Sequence, residues 1–174
     1  MVREGDIAAF EALVRRYEDL VFRLAVRVIG SREEARDVAQ EVFISLWENP
    51  RAWKASSLFT TWLYRVTTNR ALNRLRSLKL KSLLSLSDYE PEELPAADPA
   101  DAPDAGLIED EQALHLAREF NRLPPRQRAA LHLRYRENLP VAEVARALEV
   151  SLKSAESLIF RGKQALRARL RDEE

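Results

Sequence analysis

Four prolines at a spacing of four residues, Pro91, Pro95, Pro99 and Pro103, divide this chain in two. Each lacks an amide hydrogen and clashes with the turn before it, so no helix interior runs through residues 88–106. Acidic residues and alanine fill the gaps, which predicts an extended, mobile tether. The expected organisation is a domain over residues 1–80, a flexible acidic linker over 81–107 and a second domain over 108–174. Charge follows the same division. The formal net charge is zero, but residues 1–81 carry +5, residues 82–111 carry −10 and residues 112–174 carry +5. Basic blocks of this kind suit nucleic-acid contact, although two ordinary helical domains on a solvated tether give the same pattern.

Whole classes of chemistry are excluded by residue type. The chain has no cysteine, so disulfides, thiolate zinc sites and cysteine nucleophiles are out. His115 and His132 cannot alone supply a zinc site, and both read as ordinary helix residues. The four glycines lie far apart, which argues against a glycine-rich phosphate loop. No cofactor and no metal are expected. No apolar run approaches the roughly 18 residues of a membrane span, so no membrane insertion is expected. The N-terminus opens with charges and lacks a cleavable apolar stretch, which makes the cytoplasm the default compartment.

Both halves read as all-α. Asp6 is a natural N-cap, and Phe10, Leu13, Val14, Tyr17, Leu20, Val21, Leu24, Ala25 and Val28 follow helical spacing to a stop at Gly30. Ser31 and Glu34 form a capping-box pattern for a second helix over about 32–48. Its apolar side is Ala35, Val38, Ala39, Val42, Phe43 and Leu46, and Pro50 ends it. The opposite side carries Glu33, Glu34, Asp37, Gln40, Glu41 and Glu48, read as a solvated stripe away from the basic helix that follows.

A third helix is expected from Thr60 to about Leu80. No acidic residue occurs from Asn49 to Ser87, while Arg51, Lys54, Arg65, Arg70, Arg74, Arg76, Lys79 and Lys81 are basic. Arg65, Asn69, Asn73 and Arg76 fall within about an 80° arc of a helical wheel. Trp53, Phe59, Trp62 and Tyr64 sit in or just before the first turns. Cations, amides and aromatics on one surface suit phosphate, base edges and unstacked base faces. Asn twice in mid-helix is hard to explain by solvation, because its helix propensity is poor. Trp62 reads first as core.

In the second half, Leu123-Pro124-Pro125-Arg126 starts a helix reaching about Tyr135. Residues 139–151 then give a short helix, a turn and the N-cap Ser151, a helix-turn-helix pattern that some proteins also use without DNA. The last helix, about 152–170, buries Ala155, Ile159, Gly162 and Leu166. Its other face presents Lys153, Ser154, Ser157, Phe160, Arg161 and Gln164, a surface suited to a major groove.

Taken together, the two halves resemble bacterial sigma factors of the extracytoplasmic-function (ECF) type. Residues 37–43, DVAQEVF, followed by Leu46-Trp47, are similar to the family's stretch that docks on the clamp helices of the polymerase's largest subunit. Residues 59–65, FTTWLYR, continuing through Asn69-Arg70-Ala71-Leu72-Asn73, are similar to its promoter-melting and minus-ten-reading helix. Residues 123–128, LPPRQR, with Glu143-Val144-Ala145 and Val150-Ser151, are similar to its minus-thirty-five-reading helix-turn-helix.

The resemblance implies a dissociable specificity subunit with no catalytic site of its own. It implies core-polymerase contact by Asp37, Gln40, Glu41 and Phe43. It implies minus-ten contact by Trp53, Lys54, Phe59, Trp62, Arg65, Asn69, Asn73 and Arg76, the loop from Trp53 to Phe59 capturing a flipped base. It implies minus-thirty-five contact by Ser151, Lys153, Ser154, Ser157, Phe160, Arg161 and Gln164. Implied partners are core RNA polymerase, duplex and single-stranded promoter DNA, and an anti-sigma factor. Glu149 stands where the family's turn usually has Gly, so a poor residue is asked for left-handed geometry. Two other readings stand beside this one: a free-standing helix-turn-helix regulator, and a magnesium-dependent enzyme using Glu33, Glu34, Asp37 and Glu41, which is disfavoured because such sites gather one or two carboxylates around substrate phosphates.

Overall fold

The structure, a computed structural model, describes residues 6–53, 58–84 and 111–171. Among them the chain is helical without strands. The first half is α1 (Ile7–Ile29), α2 (Arg32–Glu48), a short 3-10 turn (Pro50–Ala52) and α3 (Phe59–Leu84). The second is α4 (Glu111–Asn121), α5 (Pro125–Leu131), a π-helical turn (His132–Arg136), α6 (Val141–Leu148) and α7 (Leu152–Arg171). The acidic, proline-spaced segment lies outside the described residues.

Local chemistry sets most helix ends. The Asp6 carboxylate accepts the Ala9 N–H at 2.9 Å. Gly30, at φ 92°, closes α1 by donating to the Val26 carbonyl at 2.7 Å. The Ser31 hydroxyl oxygen accepts the Glu34 N–H at 3.3 Å. Ser151 does the same for Ser154 at 3.1 Å and starts α7. The Asp6, Ser31 and Ser151 bonds each satisfy an amide left without a carbonyl in the first helical turn. At the end of α6, Val150 N–H reaches the Ala145 carbonyl at 3.0 Å and Glu149 N–H the Arg146 carbonyl at 3.3 Å. This is a Schellman closure with Glu149 at the left-handed position, φ 52° and ψ 49°. Glutamate does stand where glycine would be unstrained.

The helices pack α1 against α2 and α3 in the first half, and α5 against α6 and α7 in the second. The halves also meet, α3 lying on α6 and α1 on α5. One apolar cluster runs through both, from Val21, Leu24 and Val42 to Leu133, Val144 and Leu148. Gly162 lets α7 approach α5: a Cβ there would sit 3.0 Å from the Leu131 side chain. Helix α4, for which no separate expectation stood, buries Glu119 against Arg122 and Arg169. Its Ala113, Leu116, Ala117 and Phe120 do carry a helical spacing that marks it in the sequence.

One expectation is overturned. The acids of α2 are not a solvated stripe away from the basic helix. Arg74 of α3 pairs with Glu34 and, at 3.3 Å, with Asp37, while Arg70 pairs with Glu41 at 3.2 Å. Close packing of α2 on α3 brings Glu34, Asp37 and Glu41 against Arg70 and Arg74. The bond to Glu34 raises the pKa of the Arg74 guanidinium further. Carboxylates committed to guanidinium groups in this way make no magnesium cage.

Candidate nucleic-acid interface

Helix α3 carries the basic row on one continuous surface. Arg65, Asn73 and Arg76 are exposed and Asn69 is half-buried. Arg76 donates to the Asn73 side-chain carbonyl at 2.7 Å. Asn69 donates to the Glu149 carboxylate at 2.8 Å, and Arg65 lies 3.9 Å from the same group. The first turns of α3 join an aromatic cluster. Phe59 meets Trp53 edge-on at 5.7 Å, Tyr17 edge-on at 5.2 Å and Trp62 in a stack at 5.7 Å. Trp62 is only 5% exposed, so in this conformation protein covers its faces. Trp53 and Phe59 are half-buried and line a cavity of about 400 Å³ with Arg16, Tyr17 and Pro50. Lys54 lies outside the described residues.

A second surface lies between α1 and α2. It is a groove of about 890 Å³ whose apolar lining includes Phe10, Val14, Phe22, Phe43 and Trp47. Glu11, Glu18, Asp19, Glu48, Arg32 and Arg36 rim it. Phe43 is buried in its floor, whereas Asp37, Gln40 and Glu41 are exposed on α2. Asp37 and Glu41 keep about half of their side chains in solvent although both are paired. Trp47, which closes the stretch resembling the polymerase-docking one, is exposed at this groove together with Ile44, which sequence reasoning did not single out. The signal was present: both fall outside the arc that holds Ala35, Val38 and Val42.

The third surface is α7. Lys153, Phe160, Arg161 and Gln164 are exposed and Ser157 is half-buried. The Ser151 and Ser154 hydroxyls lie 2.8 Å apart at the helix start, where Ser151 also caps it.

Comparison with known proteins gives the chain a family. Residues 13–80 match the model of Sigma-70 region 2, and residues 113–166 match Sigma-70, region 4. The chain is 31% identical over 175 residues to the ECF RNA polymerase sigma factor SigW of Bacillus subtilis (strain 168), covering 98% of this chain and 94% of that protein. It belongs to the ECF sigma factors. It is also 32% identical to the RNA polymerase sigma-H factor of Pseudomonas aeruginosa, over 95% of this chain and 88% of that one. In fold, this ECF sigma factor is similar to the sigma factor RpoE solved with the anti-sigma factor NepR from Bartonella quintana. That likeness has a TM-score of 0.70 at 14% identity and covers 97% of this chain and all of that one. It is also similar to CnrH solved with the cytosolic domain of CnrY, at TM-score 0.61 and 22% identity, over 98% and 92% of the two chains. As an ECF sigma factor, the protein directs RNA polymerase to promoters. No described helix is long and apolar enough to cross a membrane.

Proposed function

We propose that this sigma factor reads and melts the minus-ten element with α3, reads the minus-thirty-five element with α7, and docks on the clamp helices of the polymerase's largest subunit through α2 and the groove beside it. The observation that carries this reading is the juxtaposition on α3 of the Arg65–Arg76 row with the Trp53–Phe59 cavity. The row begins less than two turns beyond Phe59. Guanidinium groups there would hold strand phosphates, the two asparagines would pair with base edges, and the aromatic-lined cavity would receive an unstacked base. Extruding a base costs a few kcal/mol, which a protein without ATP chemistry meets through binding energy alone. The groove supports polymerase docking by its apolar floor and charged rim, the usual form of a helix-receiving surface. In the same reading, residues 1–80 and 108–174 act as separable domains, 81–107 connects them, and the protein is a dissociable, non-catalytic subunit working in the cytoplasm. An anti-sigma factor is a further partner of this proposal, as RpoE is bound to the anti-sigma factor NepR in its solved complex.

The test is transcription from a genomic promoter pool by core polymerase with the protein or its Asn69→Ala variant. The native protein should bind core and add new start sites. Asn69→Ala should bind core equally, keep the minus-thirty-five preference, and change the minus-ten ranking or slow open-complex formation. Unaltered ranking and melting would remove the strand-reading role from α3.

A further inference from the structure

Three carboxylates from the other half of the chain contact α3, and one of them, Glu149, reaches the row that would meet DNA. Glu137, just past the π turn, accepts the Tyr64 hydroxyl at 2.7 Å. Glu143, in the first turn of α6, accepts the Thr61 hydroxyl at 3.0 Å. Glu149, at the left-handed corner, accepts the Asn69 amide at 2.8 Å and faces Arg65. Tyr64 and Arg65 follow Thr61 by three and four residues, and Asn69 follows Arg65 by four, so the three carboxylates track one stripe of α3. We propose that these glutamates form an acidic clasp that holds the free protein closed, in which Glu149 occupies part of the strand-reading surface in place of phosphate. The proposal rests on the reading of α3 given above.

Two features favour a contact built to open. The first is Glu149 itself. Glycine would hold the left-handed corner without strain, yet this chain keeps a carboxylate there, and that carboxylate reaches Asn69. The second is selectivity. The closed form leaves the groove between α1 and α2 and the reading face of α7 exposed, with Phe160 61% accessible. Polymerase and duplex DNA therefore have access before the clasp opens, whereas a single strand gains Asn69 and Arg65 only once Glu149 has left them.

The clasp is tested on the full chain. Because the protein has no cysteine, Glu33→Cys on α2 and Arg167→Cys on α7 report the distance between the halves by dye-pair energy transfer. Glu149→Gly retains the left-handed corner and removes the carboxylate. Thr61→Val with Tyr64→Phe removes two donors from the α3 side without touching the proposed DNA contacts. Both variants should lower energy transfer. Both should also raise the affinity of the free protein for short random-sequence single-stranded DNA, by about fivefold per contact removed, the factor that one ordinary hydrogen bond corresponds to. Core-polymerase affinity should not change. Native-level energy transfer and strand affinity in both variants would overturn the clasp. Lower energy transfer with no gain in strand affinity would keep the closed state and overturn the masking of a strand-reading surface. A gain that Asn69→Ala then abolishes in the Glu149→Gly background supports both.

Discussion

Arg126 and Arg128 stand two residues apart in one helix and have opposite roles. Arg126 is exposed. Arg128 is 6% exposed and donates to the Val28 carbonyl of α1 at 2.7 Å and to the Asn121 carbonyl at 2.6 Å. Burial lowers its pKa to about 10, still far enough above neutrality to keep it charged. It thus joins the second half to the C-terminal end of α1, where the helix dipole favours a cation. Arg128→Ala should cost about 2–3 kcal/mol, the value of charged hydrogen bonds lost from a buried site, while Arg126→Ala should stay within about 0.5 kcal/mol. Denaturant midpoints of the two variants check this. Tyr64 and Glu137 give a pH prediction. The contact with His132, with the Tyr64 hydroxyl adding to it, holds the Glu137 carboxyl below its usual range. Burial and Glu137 hold the Tyr64 hydroxyl well above its own. The contribution of Glu137 is therefore present above the ordinary carboxylate value of about 4 and is lost as pH falls through its lowered one. That of Tyr64 is present below about pH 10 and is lost as pH rises further. Stability should be flat between these limits and fall on both sides, and Tyr64→Phe should flatten the alkaline limb. A denaturation series across pH decides it.

Among the elements, α2 and α3 show how local and non-local forces divide the work. The start of α2 is fixed by Ser31, and Ser31→Ala should cost about 1 kcal/mol in thermal or denaturant unfolding. The pairing of α2 with α3 is different in kind. Arg70 and Arg74 reach carboxylates 29 to 40 residues away, and most of these side chains are partly solvated. Such pairs orient the helices more than they stabilise them, each contributing about 0–1 kcal/mol. The same geometry holds the acids of α2 in register while leaving about half of the Asp37 and Glu41 side chains in solvent.

For the whole molecule, the continuous core across both halves predicts cooperative behaviour. The native protein should melt in a single transition, because opening the halves exposes apolar surface of both. Glu149→Gly combined with Arg128→Ala removes the Glu149 clasp contact and the Arg128 link, and should split that transition in two. Scanning calorimetry checks it; a single unchanged transition in the double variant would show that the apolar contact alone couples the halves.

Much of this was legible in the sequence, and for a physical reason. Helix limits at Asp6, Gly30, Ser31, Pro50 and Ser151 depend on atoms within four residues, so spacing and residue type determine them. The left-handed corner at Glu149 and the α3 row were legible on the same ground. What the tertiary structure alone decided lies between residues far apart in the chain. It distinguished Arg128 from Arg126, paired the α2 acids with Arg70 and Arg74, and opened a groove at Ile44 and Trp47. It also brought Glu137, Glu143 and Glu149 onto a helix 73 to 82 residues earlier in the chain. Periodicity gives each helix its faces, but which faces meet is set by packing every element at once.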